Sequence, residues 1–136
     1  MRIPQNTYRI TYEHPNNYLE VVVRGFLTFE KYKECWTQVL DLLEVKACTA
    51  LLIDLSEAQV ISLESQRWLQ EVYFPRMYAL PQFEELKVVR VLSEDVFIQI
   101  SIENIDRNRE HDQDTFPKYA KDFHSRDEAL GWLLSS

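Results

Sequence analysis

The chain is 136 residues long, with 15 Lys plus Arg against 22 Asp plus Glu, a net charge of −7 and only two glycines. That length suits a single domain over residues 1–136, and the acidic balance argues against nucleic acid, whose binding needs Lys and Arg on phosphates. With Gly25 and Gly131 near opposite ends, no Walker A loop, dinucleotide fingerprint or nucleophile elbow can be written.

Met1 to Asn6 has no apolar stretch of signal-peptide type. The longest apolar run, Ala50 to Ile53, is far short of the roughly 18 residues that a membrane span needs. Cys35 falls in a helical pattern and Cys48 in a strand pattern, so two buried, reduced thiols and a cytoplasmic location are expected.

In chain order, Thr7 to Tyr12 alternates and Tyr18 to Arg24 alternates again, joined by His14-Pro15-Asn16-Asn17. The pair reads as an antiparallel hairpin, with Asn suited to the left-handed region of the turn. Gly25 ends the second strand where a positive φ is needed. Thr28 is the expected N-cap of a helix over Phe29 to Glu44, whose Phe29, Tyr32, Trp36, Val39, Leu40 and Leu43 form one apolar stripe. Ala47 to Leu55 then reads as a strand buried on both faces. A loop from Ser56 to Ile61 leads to a second helix capped by Ser62, with Ser65, Trp68, Leu69 and Val72 on its inner face. Pro75 should stop or kink it. Leu86 to Leu92 is a third core strand, and Ser93 caps a third helix through Val96, Phe97, Ile100 and Ile105. Asp106 to Asp114 contains no apolar residue and reads as an exposed loop. Thr115 to Phe123 holds an edge strand weakened by Pro117. Ser125-Arg126-Asp127-Glu128 is a capping box opening a last helix, with Ala129, Trp132 and Leu133 inward and Gly131 in close packing. The expected fold class is α/β: a mixed four- to five-stranded sheet opened by an antiparallel hairpin, with about four helices packed on it.

No catalytic constellation emerges, and the chain is read as a non-enzyme without cofactors. The acidic run from Asp106 superficially matches a calcium loop, but its sixth and twelfth positions are His111 and Pro117 in place of Gly and Glu. His14, His111 and His124 lack zinc spacing, so no metal is expected. Cys35 beside Trp36 reads as packing rather than as a nucleophile. More informative is the carboxyl end of the Ala47–Leu55 strand, where α/β sheets hold ligands and partners. Asp54, Ser56, Glu57, Ser62 and Glu64 should gather there, although bonding the turn and capping the helix explain Asp54, Ser56 and Ser62 equally well. Arg90, set among Leu86, Val88 and Leu92, is either an edge-strand cation reaching water or a pocket charge paired with a carboxylate. Tyr73, Phe74, Tyr78 and Phe83 crowd around two prolines, in excess of an ordinary amphipathic stripe.

Strand–Gly25-Phe26-Leu27-Thr28–helix, then Leu51-Leu52-Ile53-Asp54-Leu55-Ser56, then Ser125-Arg126-Asp127-Glu128-Ala129-Leu130-Gly131-Trp132-Leu133 resembles the STAS family of sulfate-transporter tails and anti-sigma-factor antagonists. The resemblance is to its small stand-alone bacterial branch, grouped with lipid-binding CRAL-TRIO-like domains. It implies a regulatory module that binds a protein partner at Asp54, Ser56, Glu57, Ser62 and Glu64, with Trp68 as an anchor. The alternative it leaves is a carrier or sensor of a small apolar molecule or lipid, walled by Trp68, Tyr73, Phe74, Tyr78, Phe83 and Arg90. A homodimer through the aromatic patch or an open sheet edge fits either reading. Antagonists of this family carry a phosphorylatable serine within Asp-Ser-Ser-Gly, yet Leu63 or Glu64 stands at that position here and the glycine is missing.

Overall fold

Period-two alternation drives the opening hairpin, in which β1 (Thr7–Glu13) pairs antiparallel with β2 (Tyr18–Gly25). The turn places Asn17 at φ 55°, as its side chain tolerates. Leu19, Val21 and Val23 all face one core, with Tyr8, Ile10 and Tyr12 packed at its border. The computed structural model describes residues 3–110 and 117–135.

Helix α1 (Phe29–Lys46) starts where Thr28 accepts a hydrogen bond from the Lys31 N–H, and ends at Ala47 in the left-handed region. Its buried stripe is Tyr32, Cys35, Trp36, Val39, Leu40 and Leu43, so Cys35 takes the inward place expected of Phe29, which is only half-buried. Strand β3 (Ala50–Ala58) runs parallel to β2, three residues later than the apolar run suggests at both ends. Ala47 is the helix cap, and the expected loop from Ser56 is still strand because a bulge carries the pairing onward. Val22 pairs Asp54 while Arg24 pairs Glu57, so β3 holds the extra residue. The Asp54 carboxylate braces that bulge by accepting from both the N–H and the hydroxyl of Ser56.

Pro75 does not end the next helix. Helix α2 (Leu63–Trp68) passes through a π-helical turn (Leu69–Tyr73) straight into α3 (Phe74–Tyr78). In a regular α-helix the Pro75 ring would clash with the carbonyl of Glu71. The wider turn, closed by the Phe74 N–H on the Leu69 carbonyl, absorbs that conflict. Its extra residue also turns everything downstream by about 100°. Tyr73 and Phe74 therefore point inward, whereas Val72, expected inward, is exposed.

Strand β4 (Lys87–Leu92) pairs parallel with β3, and α4 (Val96–Glu110) follows. Its cap is Asp95, which accepts from the Ile98 N–H, while Ser93 bonds the Asp95 N–H one step earlier. Among the described side chains the inward residues are Ile98, Ser101, Ile102 and Ile105, and Ile100 is exposed; those of Val96 and Phe97 lie outside the described set. The helix continues through Asp106–Glu110, half of the stretch expected to be loop; residues 111–116 lie outside the described residues. β5 (Tyr119–Phe123) closes the sheet as a parallel edge strand, and α5 (Arg126–Leu133) begins where Ser125 accepts from the Glu128 N–H. Strand order is β1-β2-β3-β4-β5. Helices α1, α2–α3 and α4 all bury residues in the larger core, and α5 alone packs on the other face against Tyr18, Leu52, Val89 and Val91.

The two glycines behave oppositely. Gly25 sits at φ 77°, and a Cβ there would meet the Asn6 side-chain oxygen at 2.5 Å and its backbone nitrogen at 2.8 Å. Gly131 has open space around it, which corrects the expectation of close packing. Gly25→Ala should destabilise the fold by about 1–3 kcal/mol. Gly131→Ala should stabilise it by up to about 1 kcal/mol by restoring helix propensity. Urea unfolding midpoints moving in opposite directions would check both.

Candidate functional site

The bulge decides what the carboxyl end of β3 presents. Asp54 and Glu57 are three positions apart, which in a regular strand would put them on opposite faces. With the extra residue both line a polar groove of about 210 Å³ on the α5 side, beside Arg9, Glu20 and Arg126. There the buried Glu20 receives Arg126 Nε and Nη2 at 2.7 and 3.1 Å, tying the start of α5 to β2. Arg24 meets Glu57 at 3.1 Å. Ser62, Glu64 and Trp68 belong to α2 on the opposite face, so the six residues expected to share one surface are divided by the sheet edge. Ser62 caps α2 by accepting from the Ser65 N–H, and Ser65 is fully buried. Trp68 is half-buried, with its ring against Tyr32 and Tyr73.

The same sheet end carries an apolar surface that periodicity does not show. The Gln59 N–H donates to the Gly25 carbonyl, which brings the segments after β2 and β3 together. Phe26, Val60 and Leu63 are all exposed there, Leu63 at 74%. Glu57 and Glu64, before and after Val60 and Leu63 in the chain, are exposed as well.

Below this end, between the sheet and its three helices, lies a half-open apolar cavity of about 100 Å³, whose rim on β5 is formed by the exposed Ala120, Lys121 and Asp122. Of the six expected pocket residues, Tyr73, Phe74 and Arg90 line it. Trp68 packs behind Tyr73, and Tyr78 and Phe83 stack on each other at 5.4 Å, away from the cavity. Sequence reasoning misses Tyr32 and Trp36, which form the α1 wall; two bulky aromatics with polar tips at i and i+4 on one stripe were the available signal. Trp36 packs against Tyr32 at 6.1 Å and Tyr73 at 5.9 Å, and Tyr73 meets Phe74 at 5.9 Å. The Trp36 indole N–H is buried without a hydrogen-bond acceptor in good geometry, although it lies close enough to the Tyr32 hydroxyl to favour its ionised form. Burial dominates, however, and pushes the Tyr32 pKa well up.

Arg90 closes one side of this cavity. It is not on an edge strand, because β5 pairs outside β4; of the two expected readings the structure has the pocket charge paired with carboxylates. Nε and Nη2 bind Asp122 at 2.7 and 2.8 Å, and Nη1 and Nη2 bind Asp106 at 3.0 and 2.8 Å. Burial works against the charge, but the hydrogen bonds to Asp122 and Asp106 outweigh it and hold Arg90 protonated above its ordinary pKa. One side chain thus joins β4, α4 and β5.

Nucleophilic chemistry finds no support in the thiols. Both cysteines are buried, and burial pushes each pKa up, with Glu34 adding to the effect at Cys35 and Lys46 opposing it at Cys48. Among the described residues, no group of three His, Cys, Asp or Glu side chains is arranged to hold a metal ion. No helix among them is long and apolar enough to cross a membrane.

Two outcomes follow from these environments. Arg90→Met should destabilise the fold by about 2 kcal/mol by leaving two carboxylates face to face, less than the roughly 3–5 kcal/mol of a fully buried pair because Asp122 is partly in water. Arg90→Lys should restore little of this, since an ammonium cannot grip two carboxylates bidentately; urea titrations of both variants measure it. Cys35 and Cys48 should stay unreacted with a disulfide reagent at pH 8 in the native protein and react together once it is unfolded.

The sequence matches no family model and no curated protein. Solved structures do match it over nearly its whole length. An uncharacterised protein of the DUF3478 family with a SpoIIAA-like fold, from Shewanella loihica PV-4, is 20% identical with a TM-score of 0.64, and the match covers 98% of each chain. An anti-sigma factor antagonist from Mycobacterium paratuberculosis is 17% identical with a TM-score of 0.62, covering 96% of this chain and 97% of that one. The five-stranded mixed sheet and its helices, expected from the chain-order pattern as four to five strands, are thus those of the STAS-like fold that the resemblance implied.

Proposed function

We propose that this chain is a non-enzymatic interaction module of regulatory type, which docks a protein partner on the surface formed after β2 and β3. The observation that carries this reading is the exposed set Phe26, Val60 and Leu63, on the segments after β2 and β3 that the Gln59–Gly25 hydrogen bond joins, with the exposed Glu57 and Glu64 on the same stretch of chain. An apolar centre with a charged rim is the usual anatomy of a protein interface. The partner of matching chemistry presents apolar side chains bordered by Lys or Arg. The anti-sigma factor antagonist of the same fold supports a regulatory partner by analogy of fold. Asp54, Ser56 and Ser62 support the surface from beneath, through the bulge and the helix cap, and Glu57, Leu63 and Glu64 make the contact. Trp68, half-buried among Tyr32 and Tyr73, holds α2 in place.

A second reading, the carrier of an apolar ligand, has the internal cavity in its favour. A space of about 100 Å³ holds only part of a long lipid chain. A homodimer through the same exposed surface would compete with the partner, and sedimentation of the purified chain distinguishes the two.

Leu63→Asp tests the docking surface. The side chain is almost wholly in water, so the melting temperature should hold within about 2 °C. Capture of the partner from native lysate should fall at least about tenfold, the equivalent of burying one apolar anchor. Undiminished capture by the variant would remove this surface from the proposal.

A further inference from the structure

We propose that the cavity between α1, the π-helical turn and α4 is a binding site for a small uncharged apolar molecule of about four to six non-hydrogen atoms. Protein interiors rarely keep voids larger than a water molecule, and side chains normally relax to fill them. Here relaxation is opposed on three sides. The π-turn fixes Tyr73 and Phe74 in the wall, the Tyr32–Trp36–Tyr73 ring contacts brace α1 against it, and Arg90 ties β4 to α4 and β5 through four hydrogen bonds. π-Turns of this kind recur at functional sites in helices.

Size and chemistry set the ligand class. An engineered apolar cavity of about 150 Å³ stays dry and takes up benzene. At about 100 Å³ this cavity holds a compact ring or a short branched hydrocarbon, and no whole acyl chain. Leu51, Ile53, Val88, Ile102 and Met77 offer no polar atom that would hold water there. The polar atoms of the wall are the tips of the aromatics, the Arg90 cluster and, at the rim on β5, Lys121; the cluster's carboxylates already occupy the guanidinium. A charged ligand would have to leave water for this apolar interior with only the Lys121 ammonium, at the exposed rim, to meet it, so an uncharged ligand is favoured. The buried Trp36 N–H lacks a well-placed acceptor, so a ring bearing a single acceptor atom is preferred over a pure hydrocarbon.

Benzene is the probe, titrated into the intact protein and followed by the Trp36 indole N–H resonance and the methyl groups of Ile53, Ile102 and Met77. Saturable shifts confined to these groups, with a melting temperature raised by about 2–4 °C near saturation, are expected. Val88→Ile places one more methylene in the cavity and should weaken benzene binding at least about fivefold; Leu51→Phe should abolish it. Because the titration of the unaltered protein stands alone, a variant that fails to fold leaves the test intact. Shifts that do not saturate, or that scatter over the surface, overturn the proposal. Saturable binding of dodecanoate at the same resonances overturns the size limit and with it the ligand class.

Discussion

Three helices must share one face of this sheet, and most of the molecule follows from that constraint. The strands lie in sequence order, and right-handed crossovers between parallel neighbours send every connecting helix to the same side. Helices α1, α2–α3 and α4 are therefore crowded over β2, β3 and β4, while only the terminal α5 reaches the other face. The middle connection has the least room. It is the one that widens into a π-turn, and the cavity lies where it meets its two neighbours. On the opposite face α5 covers only part of the sheet. The remainder carries Arg9, Glu20, Asp54 and Glu57, whose mutual charges replace a second apolar layer.

Two local devices adapt the chain to this arrangement, and both insert one residue. The bulge in β3 returns Asp54 and Glu57 to one face and Leu55 and Ala58 to the other, so the strand can extend without exposing its apolar side. The π-turn does the same for the helix, exchanging Val72 for Tyr73 and bringing Phe74 into the core. Both devices are fixed by ordinary chemistry. The Asp54 carboxylate holds the bulge, and the missing N–H of Pro75 makes the wide turn preferable to a regular one.

These insertions explain what the sequence could and could not reveal. The hairpin, the Thr28, Ser62 and Ser125 caps and the α1 stripe were legible because each depends on residues within one turn or one strand of each other. A one-residue insertion breaks the period on which such reading relies, so the end of β3 and the inner face of α2–α3 were misplaced by one step of phase. Arg90 stayed between two readings for a different reason. Its partners are 16 and 32 residues away, and Asp106 lies in a polar stretch that reads as loop until Ile98, Ile102 and Ile105 anchor the helix running into it. The cavity was half legible. Tyr73 and Phe74 stood out as aromatic excess, but Tyr32 and Trp36 were absorbed into a stripe that looked complete.

The departure from the serine motif acquires a physical meaning in this setting. Neither Leu63 nor Glu64 carries a hydroxyl, and the two serines beside them are committed to structure. Ser62 caps α2 and donates to Ser65 at 2.9 Å, while Ser65 is buried with no room for a phosphate. Modifying either would first require opening the first turn of α2, whose cap alone is worth about 1 kcal/mol. A phosphate at the antagonist position would place charge at the centre of the docking surface, where Leu63 instead presents an apolar side chain. The proposed surface is thus built for standing rather than charge-switched contact. Control over it has to come through the partner's own state, or through α2, which bears Leu63 at one end and leads into the cavity wall at the other.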